Sequence, residues 1–473
     1  MKPDTTSQCP FHAGAAPRPL DHSPAQLSWP PGPAPGLTGW GLLRAMSRDP
    51  LGSLEQWRRQ HGDVVHLRIW PEHQIVLTDP ALVRELLVTQ HAHLVRWESG
   101  IAVMSQLHGR SVLTAEGALW RTRRQALQPA FTPRAAHSFV PVIAAAAQQA
   151  FKGWQAGAEG WPIEQAFTSL GMDVILRTMF SSAVGADARL AERAVHTVSV
   201  AGNAEMYWPA SWPDWMPWKR TKRRAMRVLR SLIERHVTAR LALAQEEWPA
   251  DLLTRLLSLH RADPAAWPLR AVHDECMTAF LAGHETAAAT LTWWAWCMAA
   301  NPAAQAAARE EVDSVLQGRV PAASDLPQLG YLTRTLQETL RLYPAAPVLL
   351  TRRTRQPVAL GGWRFPARTM FTVPLGLMQR DARLFPEPDA FRPERFADGA
   401  PEIERGAWMP FGTGPRVCIG QHLALTEMTV IAAMFLQRFA VRAPAGMAPP
   451  EPVFNITLRP REPLHLVLER RMA

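Results

Sequence analysis

The stretch Phe411-Gly412-Thr413-Gly414-Pro415-Arg416-Val417-Cys418-Ile419-Gly420 runs directly into an apolar helical pattern and decides the fold. A cysteine at a helix start lies near unpaired backbone N–H groups and the positive end of the helix dipole, and both favour an anion. We therefore expect the pKa of the Cys418 thiol to be lowered, with Arg416 as a further nearby cation. Gly420 leaves space for a flat group. A thiolate in these surroundings is suited to be an axial ligand of haem iron.

The spacing Phe-x-x-Gly-x-Arg-x-Cys-x-Gly, complete from Phe411 to Gly420, resembles the haem-binding loop of the cytochrome P450 family. The plainer interpretation is a buried structural cysteine at a helix start, which is what most single cysteines are. The resemblance implies a mainly α fold with a small β-rich portion, the cytochrome P450 fold, and haem b held through Cys418. It also implies that Phe411 packs beside the thiolate and that Arg416 and Gly420 border the cofactor.

A second motif, Ala282-Gly283-His284-Glu285-Thr286, lies in an apolar run over about residues 271–300 that predicts one long helix. Gly283 inside a helix costs ~1 kcal/mol relative to alanine, so we expect it where a flat ligand or a kink needs space. Glu285 and Thr286 place an acid beside an alcohol, which is a pair suited to passing protons. The motif resembles the oxygen-binding motif of the same family.

Two other interpretations of this motif are weaker. A zinc-peptidase motif, His-Glu-x-x-His, needs a second histidine at the position of Ala288. A polar patch on a surface helix is disfavoured by the apolar residues that precede the motif and the alanines that follow it. The motif departs from the usual family pattern at Ala287, where Thr or Ser is common. The resemblance implies that Glu285 and Thr286 guide protons during reaction with O2.

Haem carries two propionates, and buried carboxylates need cations or N–H donors. Trp120 and Arg124, four residues apart on one helix face, resemble the pair that the family places at the haem edge. Both are expected to serve one propionate. Arg416 and Arg352 match further propionate-binding arginines of the family. Two neighbours compete with Arg352 for this role, namely Arg353 and Arg355.

The segment Glu338-Thr339-Leu340-Arg341 predicts an ion pair, because residues at i and i+3 share a helix face. Such a pair on a surface contributes little to stability. Together with Arg395 downstream, however, it resembles the structural triad of the family. The planar guanidinium makes several fixed hydrogen bonds. We therefore expect these residues to hold the fold around residues 411–420, which we call the cofactor loop, and not to act in catalysis.

The chain has 473 residues, and 51 Lys and Arg against 41 Asp and Glu give it a net charge of +10. Such an excess suits a nucleic acid, an anionic membrane or an acidic partner protein. No basic run of six or more residues occurs, so we expect no nucleic-acid partner. Residues 1–29 lack an apolar signal segment, and no span of ~18 apolar residues occurs. Because of these missing apolar segments we expect no membrane anchor. The chain has only four cysteines, so we also expect reduced thiols and a cytoplasmic location.

The resemblance covers most of the chain and implies a single domain over residues 38–473. A flexible, proline-rich segment over residues 1–37 is expected to precede it. Local patterns predict a helix over residues 51–61, a helix starting after Asp79-Pro80, and strands over residues 64–69, 74–78, 358–365 and 370–375. Residues 98–114 are predicted to be a loop, and residues 208–218 a connection between helices.

Family analogy places the substrate against mostly apolar segments, namely residues 98–114, 208–218, 346–349 and 454–456 with Ala279 and Ala282. We therefore expect a hydrophobic small molecule: a fatty acid, a terpenoid or an aromatic compound. Arg96 or Arg110 is a candidate anchor for a substrate carboxylate, although a surface position is favoured for both. Electrons are expected from a separate ferredoxin or flavodoxin-like protein, usually acidic, that docks against Arg121, Arg123 and Arg416.

The leading hypothesis is a haem-thiolate monooxygenase that inserts one atom of O2 into its substrate. A peroxide-driven or isomerase member of the same fold is the first alternative. Such members often lack the acid and alcohol pair, whereas Glu285 and Thr286 are both present here. A haem-binding sensor without turnover is the second alternative.

Overall fold

The computed structural model describes residues 29–182, 186–206, 212–213 and 215–471. Helices dominate these ranges and the sheets are small, so the predicted mainly α fold with a small β-rich portion is confirmed. The α-helices of the described ranges are α1 (Trp40–Arg48), α2 (Pro50–His61), α3 (Pro80–Arg84), α4 (Glu98–His108), α5 (Gly117–Leu127), α6 (Pro133–Ser138), α7 (Val140–Gly153), α8 (Ile163–Phe180), α9 (Ala186–Glu205), α10 (Arg220–Leu241), α11 (Leu252–Ala262), α12 (Leu269–Ala300), α13 (Pro302–Leu316), α14 (Gly330–Leu342), α15 (Leu375–Met378) and α16 (Gln421–Arg438).

The largest sheet described has five strands in the order β1-β2-β8-β5-β3, in which β2 and β8 run parallel. Smaller sheets pair β10 with β11, β6 with β7, and β12 with both β4 and β9. The strands are β1 (Val64–Ile69), β2 (Glu72–Leu77), β3 (Leu94–Arg96), β4 (Gly157–Pro162), β5 (Arg352–Thr354), β6 (Val358–Leu360), β7 (Trp363–Phe365), β8 (Met370–Thr372), β9 (Phe439–Arg442), β10 (Pro452–Asn455), β11 (Thr457–Pro460) and β12 (His465–Arg470).

Helix α12 runs through the middle of the core, and most of its residues are buried. Its two central tryptophans keep their polar atoms satisfied, because Trp293 Nε1 donates to Leu458 O and Trp294 Nε1 to Thr335 Oγ1, both at 2.9 Å. A Cβ on Gly283 would lie 2.7 Å from Ile175 Cδ1 of α8. Gly283 therefore lets the end of the Ile175 side chain approach α12 closely, and the expectation that it makes room for a flat ligand or a kink stays a prediction.

The predicted triad on α14 is present and buried. Arg341 Nε lies 2.7 Å from Glu338 Oε2, and neither side chain is exposed to solvent. Arg395 Nε reaches Glu338 Oε1 at 3.2 Å. Arg341 also donates to backbone carbonyls of the segment after α15, at Gln379, Pro388 and Ala390. The triad thereby fastens α14 to the long connection that leads to the cofactor loop.

One local prediction needs correction. Residues 98–108 form helix α4 and not a loop, and only residues 109–114 are irregular. That irregular part is fixed to α12, because the Val112 N–H donates to Glu275 at 2.9 Å and Thr278 Oγ1 donates to Ser111 Oγ at 2.6 Å. Burial, the largest influence, raises the pKa of Glu275 to about 7. The remaining predicted helix starts and strands agree with the structure to within a few residues.

The proline-rich entry packs against the sheet from the first described residue. Trp29 stacks on His66 and His73 with ring centroids 4.5 and 4.2 Å apart, and the His66 N–H donates to Pro31 O at 2.9 Å. The packed chain thus includes residues before the boundary expected at residue 38. Residues 1–28 of the expected flexible segment lie outside the described residues. In the described ranges, every helix is too short or too polar to cross a membrane.

Candidate functional site

The loop from Phe411 to Gly420 is a compact turn that ends at the first residue of α16. The Cys418 N–H donates to Phe411 O at 2.9 Å, which closes the loop on itself. Gly414 has a φ of 73°, and a Cβ there would lie 2.4 Å from Leu87 O. A side chain at this position would collide with backbone, so the loop conformation requires glycine. The partly buried Phe411 packs against the main hydrophobic core.

Cys418 lies inside the protein, but no other side chain of the described residues covers its thiol, so the residue is exposed. Burial, the largest influence, raises the pKa of its thiol above the usual value, while the Gly420 N–H and Arg124 act in the opposite direction. The expected lowered pKa is therefore wrong for the protein alone, because desolvation outweighs the helix start and the cation. A metal ion that coordinates a thiol removes its proton, so the raised pKa does not oppose a role as ligand.

Four arginines converge beside this loop, and we call them the arginine cluster: Arg96, Arg124, Arg352 and Arg416. They come from β3, α5, β5 and the cofactor loop. Burial, the largest influence, and the charges of the neighbouring arginines together lower the pKa of Arg416 to about 9. Burial and the Arg96 charge likewise lower the pKa of Arg352 to about 10. The cluster is a concentration of positive charge in a place poor in water.

One carboxylate offsets the arginine cluster within the described residues. Glu116 Oε2 lies 2.6 Å from Arg416 Nη2, and Glu116 Oε1 lies 3.5 Å from Arg96 Nε. Arg96 is 6% exposed, and its Nη1 has no hydrogen-bond partner among the described residues. Unpaired buried cations are costly unless an anion joins them. The cluster thus calls for further negative groups.

These residues fit a haem. Its two propionates would supply the negative groups that the arginine cluster calls for, and Cys418 could provide a sulfur ligand for the iron. A Cβ placed on Gly420 would meet no atom within 4 Å, so there is open space beside the thiol where a flat ring can lie. The sulfur of Cys418, the positive charge of the arginine cluster and the open space at Gly420 thus all suit a haem.

Trp120 and Arg124 both border the site, but through different contacts. The Arg416 guanidinium lies over the Trp120 ring, 3.9 Å from its centroid. Arg124 Nη1 donates to Val417 O at 2.9 Å, next to the cysteine. Helix α5 is therefore joined to the cofactor loop by one stacked and one hydrogen-bonded arginine.

Arg352, Arg353 and Arg355, the three candidates for the propionate role near β5, have different surroundings. Arg352 turns toward Arg96 and Arg416, whose charges lower its pKa after burial. Arg353 pairs on the other side with Glu72 at 2.7 Å and Glu98 at 2.9 Å. Arg355 follows the strand and is exposed. Of the three, Arg352 is the one that joins the arginine cluster.

The acid and the alcohol of α12 have different surroundings. Thr286 is partly exposed and its Oγ1 donates to Ala282 O at 2.9 Å, a carbonyl one turn earlier. Glu285 is buried and accepts from Ser199 Oγ at 2.7 Å and from Arg459 Nη2 at 2.9 Å. The carboxylate therefore connects α12 to α9 and β11.

Sequence reasoning missed several of these partners. Arg96 was expected at the surface, but it is buried in the arginine cluster because β3 pairs with β5 and Arg96 lies opposite Arg352. Nothing local to residue 96 signals that pairing. Ser199 and Arg459 were also missed, and no motif marks them. Arg110, the other candidate anchor, is exposed.

The expected positive docking face also needs correction. Arg123 is buried, lies 4.1 Å from the centroid of the Trp267 ring and 3.9 Å from Glu275 Oε1. The Arg416 guanidinium forms an ion pair with Glu116 and lies over the Trp120 ring. Of the three arginines named for this face, Arg121 alone is exposed.

Replacing Arg96 by methionine is expected to weaken haem retention at least tenfold, since a charge-assisted hydrogen bond to a carboxylate is lost. The measurement is the rate of haem transfer to an excess of a haem-scavenging protein. Arg353→Met is the matched control, because Arg353 lies on the neighbouring strand with its charge directed to Glu72 and Glu98. Equal rates for the two variants would contradict a role of Arg96 in the cluster.

Comparison with known proteins agrees with this site. The family model described as Cytochrome P450 matches residues 30–467. The chain is 33% identical to "Cyclooctat-9-en-7-ol 5-monooxygenase" of Streptomyces melanosporofaciens, over 90% of this chain and 92% of that protein. It is 32% identical to "Cyclooctatin synthase" of the same organism, over 92% and 96%. It is 29% identical to "Carotene epsilon-monooxygenase, chloroplastic" of Arabidopsis thaliana, over 82% and 76%. The chain is therefore a monooxygenase-type oxidoreductase that belongs to the cytochrome P450 family.

Proposed function

We propose that this enzyme binds haem b through Cys418 and inserts one atom of O2 into a terpenoid, with electrons from a separate ferredoxin or flavodoxin-like protein. The observation that carries the proposal is the exposed thiol of Cys418 inside the protein, bordered by open space at Gly420 and by the arginine cluster. When bound, a haem with a thiolate ligand supplies the reductive activation of O2.

The residues of the chain take separate roles in this proposal. Cys418 holds the iron, Phe411 and Gly420 border the thiolate side, and the propionates are held by donors from four segments. Those donors are Trp120, Arg124, Arg352 and Arg416, with Arg96 added. Their role is to fix the ring in one orientation, since paired cations remove the cost of burying carboxylates.

Thr286 and Glu285 are proposed to supply protons. The Thr286 hydroxyl is held by Ala282 O and lies on the partly exposed stripe of α12, so it can donate to a reacting group and be reset by rotation. Glu285 is one residue away but is engaged by Ser199 and Arg459. A proton from Glu285 therefore requires the carboxylate to leave Arg459, and we propose that Arg459 controls this step.

The terpenoid class is supported by the site and by the relatives. In the central part of α12 the residues that are not buried are Ala279, Ala282, Gly283 and Thr286, so this stripe is small and mostly apolar. Apolar lining with few polar groups suits a hydrophobic molecule. Carotene, which one relative is named for, is a terpenoid, and the name of another denotes oxidation of an unsaturated alcohol. In the expected lining segment 208–218, residues 208–211 and 214 lie outside the described residues, and the described tryptophans, Trp212, Trp215 and Trp218, are exposed.

The electron donor is proposed to dock on the side of α5 where Arg121 is exposed. An acidic protein would be guided there by the overall positive charge of the chain, +10. A cytoplasmic location also remains a proposal, and cell fractionation tests it.

Replacing Thr286 by alanine is expected to uncouple the enzyme, so that NADPH is consumed with the redox partner present while product per NADPH falls at least fivefold. The reason is that general acid catalysis contributes about 10²–10⁴-fold to a proton-transfer step. The measurement is product formed per NADPH with a converted terpenoid, found by screening for ligand-induced spectral shifts.

Thr292→Ala is the matched control. Thr292 lies on the same helix and makes the same type of bond, to Ala288 O at 2.8 Å, but is fully buried. Unchanged coupling in Thr286→Ala would remove the proton role, and a fall of equal size in both variants would assign the effect to the helix.

A further inference from the structure

An open cavity of about 510 Å³ lies on the surface between α4 and the edge of the largest sheet. Its lining is strongly charged, with four arginines and two glutamates among the residues Val95, Arg96, Glu98, Ile101, Ala102, Glu116, Arg353, Thr354, Arg355 and Arg368. The lining thus carries an excess of two positive charges. An excess of positive charge around a cavity favours a ligand of negative charge.

Two buried guanidinium groups in this lining have free donors. Arg353 is 3% exposed, and its Nη1 has no hydrogen-bond partner among the described residues, although Glu72 and Glu98 hold other parts of the group. Arg96 Nη1 is also buried and unpaired, but that donor is assigned to a haem propionate. Leaving the Arg353 donor without an acceptor is costly. A ligand that supplies anionic oxygens would satisfy it.

Two further arginines stand at the opening of the cavity. Arg355 and Arg368 are exposed, and in the described part of the chain their side chains make no hydrogen bond or ion pair. Their positions are fixed by backbone bonds, because the Arg355 N–H donates to His93 O and the Arg368 N–H to Thr354 O, both at 2.8 Å. Both are therefore free to close on an anion.

We propose that this cavity binds a phosphate group, free or at the end of a small organic molecule. Arginine forks match phosphate oxygens in pairs, and Arg355 and Arg368 supply two free forks at the opening, while Arg353 adds its free Nη1. The volume exceeds what a phosphate group alone needs, which favours an organic phosphate. Arg96 borders both this cavity and the haem site, whereas Arg353, Arg355 and Arg368 take no part in the arginine cluster.

The test is isothermal titration calorimetry of the haem-loaded enzyme at low ionic strength, with inorganic phosphate and glycerol 3-phosphate as probes and succinate for comparison. We expect one saturable site for both phosphates, with glycerol 3-phosphate the tighter if the organic part is held. Tighter binding of succinate than of either phosphate would overturn the phosphate assignment.

Variants locate the site. The double change Arg355→Gln with Arg368→Gln is expected to weaken phosphate binding at least tenfold, whereas Arg364→Gln, an exposed arginine of β7 outside the cavity, is expected to change it less than twofold. Glu98→Gln is expected to strengthen binding several-fold, because it removes the negative charge beside Arg353. No saturable heat in the wild type, or equal losses in the double variant and Arg364→Gln, would overturn the proposal.

Discussion

Replacing Cys418 by serine is expected to abolish the red-shifted Soret band of the reduced protein under carbon monoxide, and substrate oxidation with it. A serine hydroxyl keeps its proton where a thiol loses it, and it offers a harder, weaker ligand for iron. The loss should be complete, because no other cysteine in the described ranges borders the open space at Gly420. The measurement is a difference spectrum of the reduced protein with and without carbon monoxide.

Cys297→Ala is the control for this experiment. Cys297 lies in the core on α12, and burial, the largest influence, raises the pKa of its thiol to about 12. It is an inert core residue, so the variant should keep the red-shifted band and lose only some stability. A normal band in Cys418→Ser would exclude Cys418 as the ligand.

Replacing Arg341 by methionine is expected to destabilise the fold by about 3–5 kcal/mol, since a fully buried Glu338 loses its main partner. The same change leaves three backbone carbonyls, at Gln379, Pro388 and Ala390, without their donor. Whole proteins are stable by only about 5–15 kcal/mol, so the variant should unfold early or accumulate without haem. The measurement is urea unfolding followed by circular dichroism.

Arg442→Met is the control, because its ion pair with Glu469 is half exposed and is expected to contribute less than about 1 kcal/mol. Should Arg341→Met fail to fold, Arg395→Met provides the graded test: it removes a partner at 3.2 Å and leaves Arg341 in place. A loss in Arg341→Met no larger than in Arg442→Met would mean that the triad does not hold the fold.

The predictable parts of the site are those whose residues lie close together in the sequence. The cofactor loop, the acid and alcohol pair and the Glu338–Arg341 pair each lie within a few residues, so helix and turn geometry brings their members together. Arg96 was not predictable, because its place depends on the register of β3 against β5, and the two strands are far apart in the chain. A three-residue strand carries too little pattern to specify that register.

The errors in the local predictions have related causes. The segment of α4 contains Gly100 and two serines, which disfavour a helix, yet contacts with α12 and α9 stabilise one. The pKa of Cys418 was judged from charges alone, and burial was the larger influence. In each case tertiary packing, which the sequence does not display locally, decided the result.

The arginine cluster also has a consequence for how the protein folds. Its four members come from β3, α5, β5 and the cofactor loop, so it exists only after distant parts of the chain have met. Closing such long loops is slow, and contacts of this kind form late. The cofactor would therefore bind at the end of folding. Secondary structure would form first in the apoprotein, and the Soret signal would appear only after the whole chain has folded.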